Sequence, residues 1–157
     1  LQEQLSIDPE RVYAAGFSTG GMFGYALACF SNEPIAGVAA VSATQLNLVD
    51  CAPSPTNVFI AHGTADEVLP YYGSSDIASI DEVVSFWTSL NQTSTFAQES
   101  SYAFGKETVY LHTYTEGINN TQVMHYKVEN GGHGWFDHEI EGQSFTSLLW
   151  GFLTSQQ

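Results

Sequence analysis

The apolar positions of this chain follow two different periods. Residues 35–42 and 57–61 are nearly unbroken apolar runs without alternation, the pattern of parallel strands covered on both faces. Residues 12–17 form an earlier strand, entered through the turn Asp8-Pro9-Glu10. Ile77, Ile80, Val83, Val84 and Trp87 recur at steps of three and four and predict an amphipathic helix over residues 79–90, whose acidic start, Asp81-Glu82, suits the helix dipole. Further helices are expected at 19–30 and 145–153. Residues 108–115 and 122–129 read as two strands of a hairpin joined by Glu116-Gly117-Ile118-Asn119-Asn120. Pro53 and Pro55 keep 51–56 out of any helix. Strand, helix, strand, strand, helix, hairpin, helix predicts an α/β fold with a mostly parallel sheet.

The 157 residues, 43% hydrophobic, suit one globular domain over 1–157, without repeats or a linker. The chain opens on Leu1 rather than Met, and Leu1 and Leu5 read as a helix end, so a domain shortened at its N-terminus is expected. Three Lys plus Arg against 17 Asp plus Glu give a formal charge of −14. That charge opposes binding to nucleic acid or anionic membrane and favours neutral substrates. No apolar run is long enough to span a bilayer, and nothing resembles a secretion signal. A surface built from Ser, Thr, Asn and Gln is common in secreted proteins, and strong acidity with almost no lysine is equally in keeping with saline water. Cys29 and Cys51 either pair or stand as two buried thiols. Neither has a second Cys or His at zinc-ligand spacing.

The chemistry centres on Gly16-Phe17-Ser18-Thr19-Gly20, a G-x-S-x-G pentapeptide between a strand and a helix. A strand that turns directly into a helix holds its apex residue in a strained conformation with the side chain pushed out. Gly16, Gly20 and Gly21 are expected to give that turn its clearance. Ser18, at the apex, needs a histidine to take its proton and an acid to orient the histidine. Of the five histidines, His133 lies in a glycine-rich loop past a strand and is the expected base. His62 is expected to bond within its own turn, while His112, His125 and His138 read as structural or exposed. Asp66, just beyond the third strand, is the expected acid; Asp50, Asp76, Asp81 and Asp137 suit caps and solvated loops.

Ile7-Asp8-Pro9-Glu10-Arg11-Val12-Tyr13 before the pentapeptide, His62-Gly63-Thr64-Ala65-Asp66 before Pro70-Tyr71, and Gly131-Gly132-His133-Gly134-Trp135 resemble the extracellular polyhydroxybutyrate depolymerase and feruloyl esterase group of α/β-hydrolases. The resemblance covers nearly the whole chain, as the C-terminal portion of that fold. It implies Ser18, Asp66 and His133 as nucleophile, acid and base of a secreted or periplasmic esterase without metal or organic cofactor, and it favours a Cys29–Cys51 bridge. Phe136 stands where the group commonly has Pro, and Leu69 where it commonly has Val.

Members of the group carry strands before the nucleophile, including a loop that supplies one oxyanion-hole donor. Here only the Thr19 N–H is assignable, so a homodimer or a missing N-terminal segment is expected at the open edge of the first strand. Tyr71, Tyr72, Trp87, Trp135 and Phe136 are candidates for an aromatic platform under a feruloyl or polyester substrate. Asn91-Gln92-Thr93 and Asn119-Asn120-Thr121 match the glycosylation pattern. The rival readings are a serine peptidase of the prolyl-oligopeptidase kind and a non-catalytic polymer-binding remnant.

Overall fold

The computed structural model describes residues 6–46 and 48–155; the helix end expected at Leu1 and Leu5 lies outside them. Strands β1 (Tyr13–Phe17), β2 (Gly37–Val41) and β3 (Asn57–Gly63) run parallel, with helix α1 (Thr19–Phe30) after β1 and α2 (Ile80–Asn91) after β3. Then come β4 (Gln98–Phe104), β5 (Glu107–Tyr114) and β6 (Val123–Glu129), the short pair β7 (Glu139–Ile140) and β8 (Gln143–Ser144), and α3 (Phe145–Thr154). The main sheet has the order β1-β2-β3-β6-β5-β4. β6 lies parallel to β3 and antiparallel to β5, so the expected hairpin forms and its second strand returns to the sheet centre.

Two cores explain the unbroken apolar runs. Val38, Ala40, Val58 and Ile60 pack with Tyr25 of α1 and Ile80, Val83 and Trp87 of α2. Their neighbours Ala39, Val41, Phe59 and Ala61 face the other way, onto Phe145, Leu149, Phe152 and Leu153 of α3. Alternate residues of a strand point to opposite faces, so covering both faces makes every position apolar. α2 begins as its sequence requires: Ser79 accepts from the Glu82 N–H while the Glu82 carboxylate accepts from the Ser79 N–H.

β4 has no counterpart in the sequence reading. Gln98, Glu99, Ser100 and Ser101 are polar and exposed, and only Tyr102 and Phe104 reach the α3-side core. An outer strand needs little apolar content, and charge there discourages pairing with other chains. The turn at Pro9 is a single 3-10 turn, Pro9–Arg11, capped by the Asp8 side chain. No helix among the described residues is long and apolar enough to cross a membrane.

Cys29, late in α1, is bonded to Cys51, with the Cα atoms 4.9 Å apart. The bridge ties α1 to the connection between β2 and β3. Asn91, by contrast, is no glycan acceptor in this fold. It is fully buried, its amide donating to the Thr56 carbonyl at 2.7 Å and accepting from the Thr56 N–H at 3.1 Å.

Candidate active site

β1 delivers Ser18 to the sheet edge. The Ser18 N–H donates to the Val41 carbonyl at 2.8 Å, and Ser18 then takes φ 53°, ψ −122° before α1 begins at Thr19. A positive φ at a residue with a Cβ is costly and persists only where surrounding structure enforces it. Two glycines permit the turn: a Cβ on Gly16 would strike the Gly20 carbonyl group, and one on Gly21 would lie 2.6 Å from Ala43 Cβ. Gly20 itself faces open space, so the clearance expected of it comes from Gly21 instead.

The loop after β6 brings His133 over Ser18. Its Nε2 lies 3.1 Å from Ser18 Oγ, and its Nδ1 lies 2.7 Å from Asp66 Oδ2. Asp66 is buried and receives the N–H groups of Val68 at 2.9 Å and Leu69 at 2.8 Å on its other oxygen, Oδ1. The three side chains picked from sequence therefore stand in one hydrogen-bonded line, from a partly exposed hydroxyl to a buried carboxylate. Among the described residues no group of three or more His, Cys, Asp or Glu is arranged to hold a metal ion. Thr19, whose N–H opens α1, has no carbonyl four residues back within the helix to satisfy it, so that N–H can face developing negative charge.

Three contacts that the sequence did not reveal hold the His133 loop. Ser42 Oγ, at the end of β2, donates to the Gly134 carbonyl at 2.9 Å and accepts from its N–H at 3.2 Å. The Asn130 N–H donates to Thr64 Oγ1 at 2.9 Å, and the Ala65 N–H to the Gly131 carbonyl at 2.9 Å. A Cβ on Gly63 would collide with that carbonyl, so glycine at 63 is what lets the two loops touch.

The aromatic platform needs correction. Trp87 is fully buried, its Nε1–H donating to Gln45 Oε1 at 2.8 Å and its ring stacked against Tyr25. Tyr71 is buried as well, its hydroxyl donating to Asp81 Oδ1 at 2.7 Å. Phe136 packs among Tyr126, His138 and Phe145 in the α3-side core. The helical period that revealed α2 also consigns Trp87 to the core, and a ring beside a loop is not thereby exposed. Trp135 and Tyr72 do remain exposed, and Phe17, not singled out in the sequence, sets its exposed ring 5.0 Å from the His133 imidazole.

The other histidines divide by burial. His125 in β6 lies against Tyr71, with burial the main force holding its pKa down to about 3, reinforced by His112, Lys127 and His62. His138 bridges Tyr126 and Glu107. His62 bonds within its turn as expected, to the Leu69 carbonyl at 2.8 Å, but it also reaches Asp66 Oδ2 at 3.1 Å.

Comparison with known proteins shows the family of the chain. Residues 1–101 match the phospholipase/carboxylesterase family. The chain is 40% identical over 72 residues to a bifunctional acetylxylan esterase/xylanase of Neocallimastix patriciarum, covering 45% of this chain and 11% of that protein. It is 35% identical over 69 residues to feruloyl esterase D of Neurospora crassa, covering 44% of this chain and 24% of the relative. It is 32% identical over 79 residues to a probable feruloyl esterase C of Aspergillus flavus, covering 50% and 29%. The matched part thus spans less than a third of each of these curated relatives. With its mostly parallel sheet, its tight strand-to-helix turn at Ser18 and a family match over most of its length, the chain belongs to the phospholipase/carboxylesterase family of α/β-hydrolases.

Proposed function

We propose that this chain hydrolyses carboxylic esters through an acyl-enzyme on Ser18, with His133 as base and Asp66 as the acid that orients it. The observation that carries the reading is the continuous line Ser18 Oγ, His133 Nε2, His133 Nδ1, Asp66 Oδ2, with links of 3.1 and 2.7 Å. Ser18 Oγ attacks the ester carbonyl as its proton passes to His133 Nε2. The charge that develops on the carbonyl oxygen falls to the Thr19 N–H. His133 then returns the proton to the departing alcohol, and the same sequence run with water releases the acid. Asp66 keeps Nδ1 protonated, which leaves Nε2 free to accept.

The relatives' names and the rim support a substrate class. Feruloyl and acetyl esters of plant-wall polysaccharides are the proposed substrates, with Phe17, Trp135 and Tyr72 as the exposed aromatic surface for a feruloyl ring. An aromatic or aliphatic polyester fits the same rim. The formed disulfide and the extracellular style of the surface support secretion or a periplasmic setting. The outer edge of β1 lies beside Ser18, and a strand added there, from a second copy or from a preceding segment of a longer chain, is the proposed source of a second oxyanion donor.

A substrate panel tests the class. Methyl ferulate, a nitrophenyl acetate, a polyhydroxybutyrate film and a prolyl amide are offered to the protein. Hydrolysis of the first two is expected. Cleavage of the amide in preference to the esters would overturn the ester reading in favour of a peptidase.

A further inference from the structure

A cleft of about 800 Å³ lies far from Ser18. Its walls come from the segments that lead into β2, β3 and β6, whereas Ser18 follows the end of β1. Those four strands run parallel, so the cleft and the proposed triad occupy opposite ends of the sheet. Pro34, Ile35, Pro53 and Pro55 give the cleft apolar walls, and Asn32 and Ser54 add uncharged hydrogen-bonding groups. Among the described residues no Lys, Arg or His lines it. Apolar walls with a few neutral polar groups suit the face of a neutral sugar.

Asn119 and Thr121 stand on the wall of this cleft and belong to Asn119-Asn120-Thr121, the acceptor triplet for N-linked glycans. The triplet lies in the turn between β5 and β6, and backbone groups close that turn. The Gly117 N–H donates to the Thr121 carbonyl at 3.0 Å, the Asn120 N–H to the Gly117 carbonyl at 2.9 Å and the Thr121 N–H to the Ile118 carbonyl at 3.2 Å. Asn119 takes φ 55°, ψ 32°, a left-handed conformation that asparagine tolerates. Its side chain is exposed, and among the described residues no hydrogen bond engages its amide. Asn91, in the chain's other triplet, is buried and spends its amide N–H on the Thr56 carbonyl. A substituent on that nitrogen is incompatible with the fold, so structure separates two triplets that look alike in sequence.

We propose that Asn119 carries an N-linked glycan and that the first sugars of the glycan lie in the cleft. This inference rests on the proposed secretion and not on the ester chemistry. The relatives described above come from fungi, whose secretory pathway performs this transfer in the compartment where disulfides form. The donor is a lipid-pyrophosphate oligosaccharide. A bond forms between Asn119 Nδ2 and C1 of the first sugar, the bond from C1 to the pyrophosphate oxygen breaks, the lipid pyrophosphate leaves, and the amide gives up one proton. In the folded chain the Thr121 hydroxyl, which the transfer requires, is buried and donates to the Ile118 carbonyl at 2.8 Å. Transfer therefore precedes closure of the turn, and the fold must then accommodate the product. The exposed Asn119 side chain does so, and the glycan leaves Ser18 uncovered at the other end of the sheet.

Site mapping tests the attachment. The chain is produced through the secretory pathway of a yeast and treated with peptide-N-glycosidase in heavy-oxygen water, which converts each glycan-bearing Asn into a labelled Asp. Peptide mass spectrometry is expected to find the label at Asn119 and none at Asn91. An unlabelled Asn119, or label at Asn91 in folded protein, would overturn the proposal. Medium and cell extract are both read. Retention of the protein inside the cells counts against secretion but leaves the reading of Asn119 intact, and ester hydrolysis by the same samples is scored separately.

Melting temperatures test the seat of the glycan. Asn119→Asp keeps a residue that tolerates the left-handed turn and removes the acceptor. The glycosylated protein is expected to melt about 2–4 °C above Asn119→Asp from the same yeast. The two sequences made in a bacterial periplasm, where the disulfide forms and neither chain is glycosylated, are expected to melt together. A gap of equal size in both hosts, or no gap in either, would remove the glycan from the cleft. Should Asn119→Asp fail to fold, Asn119→Gln takes its place.

Discussion

Ser42 Oγ grips both backbone groups of Gly134, donating to its carbonyl at 2.9 Å and accepting from its N–H at 3.2 Å across 92 residues of sequence. The grip fastens the residue after His133 to the end of β2, whose Val41 carbonyl also receives the Ser18 N–H. One strand end thereby sets the distance between Ser18 and His133. Ser42→Ala leaves two part-buried backbone groups without their partner, each hydrogen bond being worth about 0.5–1.5 kcal/mol. A fall in kcat of roughly ten-fold or more is expected, with KM little changed, because His133, the proposed base, and not the substrate surface is displaced. Steady-state kinetics on an activated ester checks the split.

The glycines of the two loops are not equivalent, and alanine substitutions rank them. Gly63→Ala drives a methyl group into the Gly131 carbonyl, and Gly16→Ala into the Gly20 carbonyl group. Each is expected to cost about 2 kcal/mol or more. Gly20→Ala and Gly132→Ala meet nothing within 4 Å and are expected to change stability by less than about 0.5 kcal/mol. Denaturant melts of the four variants test the ranking, and Gly20 makes it sharp, since it belongs to the same pentapeptide as Gly16.

The Cys29–Cys51 bridge closes a loop with a sequence separation of 22. In the chain-entropy account that is worth about 3 kcal/mol. Reduction, or the pair Cys29→Ser and Cys51→Ser, is expected to lower the unfolding free energy by about that amount and to leave the Ser18–His133 geometry in place. Urea melts with and without reductant measure it.

Acid should weaken the fold in a defined window. His125 is held at about 3 mainly by burial, against an ordinary value near 6.5 when unfolded. Above the unfolded value neither state binds the proton and there is no penalty. Between about 6.5 and 3 the unfolded chain takes up a proton that the folded one refuses, so stability falls as pH falls, by about 1.4 kcal/mol per unit for one such group. His62, also lowered by burial, adds in the same direction. His125→Gln, which keeps a donor for the Tyr71 hydroxyl, is expected to flatten the slope between pH 6 and 4.

Much of this architecture was legible in the chain because it follows from local rules. The runs around Val38 and Phe59 announced strands covered on both faces, and the spacing of Ile80, Val83 and Trp87 announced α2. Ser18, Asp66 and His133 each follow a strand of the parallel set, and the order in which they occur was visible without coordinates. What was not legible depends on distance in space. β4 carries almost no apolar signal because it closes the sheet at an edge. Tyr71 and Trp87 looked like site residues because aromatic side chains near a site read alike whether they face solvent or core. The Ser42 clamp joins segments that no periodicity connects.

The proposed mechanism turns on an acyl group carried by Ser18, and trapping that acyl-enzyme is its sharpest test. The protein and Ser18→Ala are mixed with a slowly hydrolysed nitrophenyl ester, nitrophenol release is followed, and the protein is then analysed by peptide mass spectrometry. A burst approaching one equivalent, an acyl adduct on the Ser18 peptide and a loss of about a million-fold in the variant are the expected results. Equal nitrophenol release by both proteins, with no adduct at Ser18, would rule out Ser18 as the nucleophile.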